Sequence, residues 1–232
     1  MIEDLPQLTI HPRLARPDPA LVDALRGAQT GHLVDAMDGR GALDAGIKPV
    51  AGLSDENACF AGVALTCWTG PDDNLGLIGA IAEATAGDVV VAATDAFHGA
   101  AVAGDMVCGM LRNQGVVAFV TDGMTRDSAG ILATGLPVFC AGVTPNSPAR
   151  NGPGLVGAPI TVGGVSVASG DILVGDSDGV VVVPVSRAPQ VASRLEEIRT
   201  LEAKLEAEIS AGLGVPGFYE ELVEAGVVKR LD

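Results

Sequence analysis

The stretch from Asp88 to Val120 constrains the fold of this chain more than any other. Asp88 to Ala93 is a short Val- and Ala-rich run with the length of a buried strand. A Gly- and Ala-rich loop follows from Thr94 to Ala103, and Gly104 to Gln114 has the composition of a helix. Gly115 stands where a left-handed residue closes such a helix, and Val116 to Val120 forms a second β-branched run. Strand, helix, strand in this order is a βαβ unit, whose parallel strands are joined by a right-handed crossover.

The flanks extend the pattern. Phe60 to Trp68 reads as a strand, and Asp72-Asp73-Asn74 is placed to cap a helix through Leu75, Leu77, Ile78, Ile81 and Ala82. Pro137 to Val143 adds another strand. Upstream, Leu21, Leu25, Leu33 and Met37 recur at helical spacing with a break near Thr30-Gly31, predicting two short helices, the second capped by Thr30. Residues 6–20 are proline-rich and predict an extended arm. Residues 157–184 are short Val and Ile runs separated by Gly-Gly, Ser-Gly and Asp-Gly, the pattern of antiparallel or mixed β structure. Gly87-Asp88-Val89-Val90-Val91 is echoed by Gly170-Asp171-Ile172-Leu173-Val174, which predicts two strands entered by one kind of turn. Ser186 to Ala211 reads as a long helix with Val191, Leu195, Ile198, Leu205 and Ile209 on one stripe. Its length of ~39 Å exceeds what a sheet of this size needs, so it is expected to reach a neighbouring subunit. Gly212 ends it, and a tail carries Phe218 and Tyr219. The expectation is one α/β domain, a mixed sheet flanked by helices: an arm (1–24), a core (25–185), a C-terminal helix (186–212) and a tail (213–232).

Aromatics make up only 3% of a chain that is 48% hydrophobic, so Val, Ala, Leu and Ile must fill the core. With 29 acidic against 14 basic residues the formal charge is -15, and no Lys/Arg cluster offsets it, which argues against direct nucleic-acid binding. The same charge suits a divalent cation or a basic protein partner without choosing between them. Met1 to Ala20 has no apolar signal-peptide core and carries Glu3 and Asp4, and no apolar stretch reaches the ~18 residues of a membrane span. Cys59, Cys67, Cys108 and Cys140 are scattered, without a C-x-x-C pair, and read as buried free thiols in a reducing cytoplasm.

Several chemistries are excluded by absence. There is no G-x-S-x-G elbow, no Walker loop and no G-x-G-x-x-G between strand and helix, so methyl transfer from S-adenosylmethionine lacks its nucleotide loop. The three lysines, Lys48, Lys204 and Lys229, lie away from the βαβ unit, which disfavours Schiff-base chemistry. What remains is Gly104 to Asp127. Gly104-Asp105-Met106-Val107 opens a helix, whose first-turn N–H groups form an anion site that Gly104 leaves open. Thr125-Arg126-Asp127 follows the next strand at its carboxyl end, the edge where ligands collect in open α/β sheets. The two segments should face each other, giving a carboxylate fork (Arg126), an oxygen ligand for a hard cation (Asp127) and a second carboxylate (Asp105). An Arg-Asp pair is also a common solvated turn, and an Asp at a helix start a common cap, so spacing alone leaves both readings open.

The run Val116 to Asp122 followed by Gly123-Met124-Thr125-Arg126-Asp127 resembles the Val-Val-Asp-Gly-x-x-Arg-Asp signature of the RraA-like family. That family includes the 4-hydroxy-4-methyl-2-oxoglutarate / 4-carboxy-4-hydroxy-2-oxoadipate aldolases and the RraA regulators of ribonuclease E. Pro71-Asp72-Asp73-Asn74, Ala86-Gly87-Asp88-Val89-Val90-Val91, Pro137-Val138-Phe139 and Gly170-Asp171 to Pro184 match the family in order, over roughly residues 25–212. The resemblance implies a divalent-metal-dependent lyase (Mg²⁺ or Mn²⁺) that cleaves a 4-hydroxy-2-oxo acid to pyruvate through an enolate, with oxaloacetate decarboxylation as a side activity. It further implies that Arg126 binds the pyruvyl carboxylate and enolate oxygen, that Asp127 is the metal ligand, and that amides of Gly104, Asp105, Met106 and Val107 hold the carboxylate. Asp105 would orient a water serving as acid or base. Glu202, in the terminal helix, would reach the neighbouring subunit's site of a homotrimer or a hexamer of two trimers. Two departures stand out: Gly130 occupies a position where the aldolases usually carry an acid, and the glycine-rich loop reads Asp95-Ala96-Phe97-His98-Gly99, with His98 a possible substrate contact. The alternative that the same resemblance implies is a non-catalytic regulator docking on ribonuclease E or a similar basic partner.

Overall fold

The computed structural model describes residues 6–12 and 16–231; the expectation drawn from Glu3 and Asp4 lies outside them. In chain order the elements are β1 (Leu8–Ile10), α1 (Pro19–Leu25), α2 (Thr30–Ala36), β2 (Lys48–Pro49), α3 (Asp55–Ala58), β3 (Phe60–Trp68), α4 (Leu75–Glu83), β4 (Asp88–Ala93) and β5 (Ala101–Ala103). Then come α5 (Asp105–Asn113), β6 (Ala118–Thr121), β7 (Met124–Thr125), α6 (Ser128–Thr134), β8 (Val138–Cys140), β9 (Gly142–Val143) and β10 (Gly154–Val156). The chain closes with β11 (Ile160–Val162), β12 (Val165–Val167), β13 (Ile172–Asp176), β14 (Gly179–Val183), α7 (Ala188–Ser210) and α8 (Phe218–Glu224).

The centre of the main sheet is parallel, in the order β3-β4-β6-β8, with one helix in each crossover: α4, α5 and α6. Antiparallel strands finish its margins. β2 pairs with β8, and β3 is shared lengthwise, its first half with β13 and its last two residues with β10. This is the mixed sheet the sequence predicts. Its two inner strands, β4 and β6, are buried along their whole length, as strands covered on both faces must be. One face packs Leu77, Leu111, Phe119 and Ile131 under α4, α5 and α6. The other packs Val89, Val91, Phe139 and Leu173, with Phe60 meeting Phe139 edge-on at 5.4 Å. A third cluster, Leu25, Leu33, Ile172, Val191 and Leu195, lies beneath α1, α2 and α7.

The predicted echo is a shared turn. Asp88 Oδ2 accepts from Thr85 N at 2.8 Å and Asp171 Oδ2 accepts from Ala168 N at 2.9 Å, each closing a turn on the residue three before it. Asp88 also takes the guanidinium of Arg16. Gly115, at φ +79, ends the α5 region in the conformation expected of it.

Three local expectations are corrected and one is made specific. Leu8–Ile10 is no free arm; it pairs in parallel with β10 and joins the main sheet. Thr30 does not cap α2 but is its first residue, and its hydroxyl donates to Asp176 Oδ1 at 2.8 Å instead. The Asp72-Asp73-Asn74 run caps α4 as expected, through Asp73, whose Oδ1 accepts from Leu75 N at 2.7 Å, while Asn74 makes no capping bond. Three of the four thiols are buried, but Cys59 is exposed after the short α3. The long helix is as predicted, yet only its first half, through Val191 and Leu195, is buried; Leu201, Leu205 and Ile209 are exposed. Among the described residues no helix is long and apolar enough to cross a membrane.

Candidate active site

A small three-stranded sheet places the site. β5, β7 and β9 each follow a strand of the parallel centre, β4, β6 and β8, after its carboxyl end, and pair in parallel in the order β5-β7-β9. Ala103 is in register with Thr125, and Arg126 N donates to Ala103 O at 3.0 Å. The residues that follow, Gly104 and Arg126-Asp127, therefore leave the sheet side by side. Their approach is tight: a Cβ on Gly104 would lie 2.7 Å from Asp127 Oδ2 and 3.0 Å from Arg126 Cγ. The expected facing of the two segments is present.

Gly104 is the extended N-cap of α5 and offers no side-chain cap, so the first-turn N–H groups have no intrahelical acceptor. One of them is taken: Met106 N donates to Asp105 Oδ1 at 2.7 Å. The cradle thus keeps its Asp105 and Val107 amides for a ligand, with the Asp105 carboxylate folded over the turn. Arg126 is oriented from two sides, Nε donating to Asp127 Oδ2 at 3.1 Å and Nη1 to Ser147 Oγ at 2.6 Å. Asp127 sits at φ +58, a left-handed conformation that costs a non-glycine residue ~1–2 kcal/mol. It precedes α6 without capping it, and its carboxylate turns to Arg126 instead. A cavity of about 360 Å³ is lined by Gly104, Asp105, Met106, Val107 and Arg126. Arg126 also borders a second, open recess with Asp127, Ser128 and Gly130.

Gly130 has a physical reason to lack a side chain. A Cβ there would lie 2.6 Å from Asp105 Oδ2, so the Asp105 carboxylate occupies the space a residue at 130 would need.

A divalent metal fits this donor set in kind. Asp127 offers a half-exposed carboxylate, and Mg²⁺ typically takes one or two carboxylates and keeps several waters. Among the described residues no group of three or more His, Cys, Asp or Glu converges as a closed metal cage would require.

Two sequence candidates lie elsewhere. His98 is exposed and lines a different cavity with Asp44, Asp95 and Asp122, away from the lining that contains Arg126. Glu202 is on the half of α7 that leaves the core, and its Oε2 is 3.0 Å from His32 Nε2 of its own chain, a contact spacing did not suggest. Conversely, Ser147, Asn74 and Arg150 line the Arg126 cavity and were not singled out. They come from two loops, and only the Pro-Asp-Asp-Asn run preceding α4 was a visible signal.

The fold and site define an α/β protein with its crevice at the carboxyl ends of a parallel sheet. A family model described as Aldolase/RraA matches residues 30–182, and the chain belongs to this RraA-like family. A Halalkalibacterium halodurans protein, provisionally named a 4-hydroxy-4-methyl-2-oxoglutarate aldolase, is 33% identical over 203 residues, covering 87% of this chain and 95% of that one. The solved structure of RraAS2 from Streptomyces coelicolor, described as an unusual member of the RNase ES inhibitor RraA family, has a TM-score of 0.74 at 27% identity and covers 83% of this chain and 100% of that one. An uncharacterized Pseudomonas syringae protein gives a TM-score of 0.74 at 25% identity, covering 86% and 96%.

Proposed function

We propose that this protein is a divalent-metal-dependent lyase that cleaves a 4-hydroxy-2-oxo acid and releases pyruvate, and that it decarboxylates oxaloacetate through the same enolate. The single observation that carries the reading is the packing of Gly104 against Arg126 and Asp127, with Arg126 bordering both the cavity at Gly104 and the open recess at Asp127. The likeness to the Halalkalibacterium protein supports it.

Each residue has a task. The Asp105 and Val107 amides hold the substrate carboxylate at the positive end of α5. Arg126, fixed by Asp127 and Ser147, neutralises charge developing at the 2-oxo oxygen as the C3–C4 bond breaks. Asp105, with its carboxylate over the turn, orients the water that removes the C4 hydroxyl proton and later returns a proton to C3. Mg²⁺ or Mn²⁺ held by Asp127 would supply Lewis acidity at the carboxylate and 2-oxo oxygens. In this reading the exposed Leu201, Leu205 and Ile209 dock α7 on a neighbouring subunit of a trimer or hexamer, carrying Glu202 toward that subunit's site. The protein would work in the cytoplasm on a small metabolite, with no nucleic-acid or membrane partner.

The test is pyruvate release from oxaloacetate with and without EDTA. Turnover that disappears with EDTA and returns with Mg²⁺ supports the reading; equal rates overturn the role of Asp127. The likeness to RraAS2 favours a second reading, a regulator that docks on a ribonuclease and turns nothing over. Salt-sensitive capture of a basic ribonuclease tail by a protein with no pyruvate release would favour it.

A further inference from the structure

In the lyase reading Arg126 meets the developing charge, and two acceptors set its place. Its Nε donates to Asp127 Oδ2 at 3.1 Å and its Nη1 to Ser147 Oγ at 2.6 Å. The same reading gives the Asp127 carboxylate a second task, that of facing a cation. Ser147 is then the acceptor whose grip on the guanidinium does not compete with a metal. A hydroxyl steadies a guanidinium only as well as its own backbone is held. Ser147 is exposed, on a loop with neither helix nor strand between β9 and β10.

That loop, 146–152, is tied down on both sides of Ser147. Before it, Asn146 Nδ2 donates to Gly99 O at 2.8 Å, and Asn146 O accepts from Ala101 N at 3.0 Å. After it, the holds come from residues 72–74. Ala149 N donates to Asp72 O at 2.7 Å, and Asn74 N donates to Ala149 O at 3.1 Å. Between these two bonds the Asp73 carboxylate, 8% exposed, divides its oxygens. Oδ1 accepts from Leu75 N at 2.7 Å and closes the turn into α4. Oδ2 accepts from Asn151 N at 2.6 Å and Gly152 N at 3.1 Å, 78 and 79 positions along the chain. Closing the turn needs one oxygen; the other serves the loop alone. An ionised acceptor makes such bonds shorter and stronger than a neutral one.

We propose that Asp73 is a positioning residue of the active site: through the loop 146–152 and Ser147 it sets where the Arg126 guanidinium stands. The proposal rests on the lyase reading for the task of Arg126 and adds the residue that keeps Arg126 in place. Asp73 is not part of the lining of the Arg126 cavity, so its effect on the reaction is carried by other residues. A loop released at its far end lets Ser147 drift, and a misplacement of about 1 Å at a reacting group typically costs ~10²-fold. Asp127 still holds Nε, so the expected loss is smaller, about tenfold in kcat. KM should move less, because the α5 amides that bind the substrate carboxylate lie outside this chain of contacts.

The experiment is a double-mutant cycle on the full chain, read as pyruvate release from oxaloacetate with Mg²⁺ at a temperature where circular dichroism shows every variant folded. Asp73→Ser keeps one oxygen for Leu75 N, since serine makes the same turn more weakly, and leaves none for Asn151 and Gly152. Ser147→Ala removes the acceptor of Arg126 Nη1. Asp73→Ser should lower kcat about tenfold in the wild type but less than about twofold in the Ser147→Ala background. An equal loss in both backgrounds means that Asp73 acts on the fold or on other residues of the loop, and overturns the proposal. So does a wild-type kcat in Asp73→Ser. The Arg126 Nε–H signal, in NMR spectra of protein labelled at arginine and assigned by its absence in Arg126→Lys, gives a reading without turnover. It should be sharp in the wild type and broadened alike in Asp73→Ser and Ser147→Ala. If the wild type releases no pyruvate, the lyase reading falls and this signal alone decides: broadening by Asp73→Ser upholds the positioning, and an unchanged signal overturns it.

Discussion

Gly104→Ala separates the site from the fold more cleanly than removing a charged residue. The backbone at Gly104 is extended, φ -136 and ψ -169, and alanine adopts it without strain. What changes is contact. The new Cβ would lie 2.7 Å from Asp127 Oδ2 and 3.0 Å from Arg126 Cγ, while ordinary contact begins at 3.4 Å. Asp127 and Arg126 must therefore retreat by 0.7 Å (3.4 minus 2.7) and 0.4 Å (3.4 minus 3.0) respectively. Both side chains are half-exposed and free to move outward, so stability should fall by under ~1 kcal/mol. Catalysis depends on those positions, and a misplacement of about 1 Å typically costs ~10²-fold. The expected outcome is a loss of about tenfold or more in kcat/KM for oxaloacetate, with Tm within a few degrees of wild type. The assay is coupled pyruvate release beside thermal unfolding. Full activity in Gly104→Ala would refute the reasoning, because the turn and the Arg-Asp pair would then not share a reacting centre.

Other outcomes follow from the same geometry. Arg126→Ala should lower kcat by about a hundredfold or more, ~3 kcal/mol of transition-state stabilisation, measured in the same assay. Gly130→Ala places a methyl 2.6 Å from Asp105 Oδ2 and should reduce kcat while sparing the fold; unchanged turnover would remove Asp105 from the proton path. Phe119→Ala, at a fully buried position in the centre of the sheet and outside the cavity lining, should cost ~3–5 kcal/mol in urea unfolding while the folded fraction keeps its turnover. Burial pushes the Cys108 thiol up from 9.0 to about 12, and Cys67 higher still. Because the folded state holds these protons above the unfolded value, their contribution to stability is whole below pH 9.0 and is lost as pH rises toward about 12. Unfolding midpoints from pH 8 upward should fall accordingly, and only exposed Cys59 should react with iodoacetamide in the native protein at pH ~8.

The parallel centre was legible because its signals are local. Asp88–Ala93 and Phe60–Trp68 are continuous apolar runs bounded by turn residues, and their observed limits match. The shared Gly-Asp turns of Asp88 and Asp171 were legible for the same reason. α6 was not, since Ser128–Thr134 is short, mixes Gly with Thr and starts from a left-handed Asp127. Nor was β1, whose three residues are a strand only because β10, some 146 positions later, lies beside them. In the site, the pairing of Gly104 with Arg126-Asp127 could be read from topology, because consecutive βα loops meet at one sheet edge. The contribution of the loop 146–152 could not. Arg150 reaches the cavity through hydrogen bonds from its loop to Asp72 and Asp73, contacts between chain positions about 78 residues apart that leave no periodic trace. The His32–Glu202 contact is likewise tertiary, and His98 shows how a loop side chain beside a site in sequence can line another cavity in space.

The account rests on one crevice in which amides of the α5 turn and the Arg126 guanidinium grip the same small acid. A crystal soaked with pyruvate and Mg²⁺ measures this directly. The pyruvate carboxylate should lie within hydrogen-bond distance of the Asp105 and Val107 amides, with its oxo oxygen toward Arg126 and the cation on Asp127. Pyruvate bound at any other place, or a crevice that stays empty at saturating pyruvate, would contradict it.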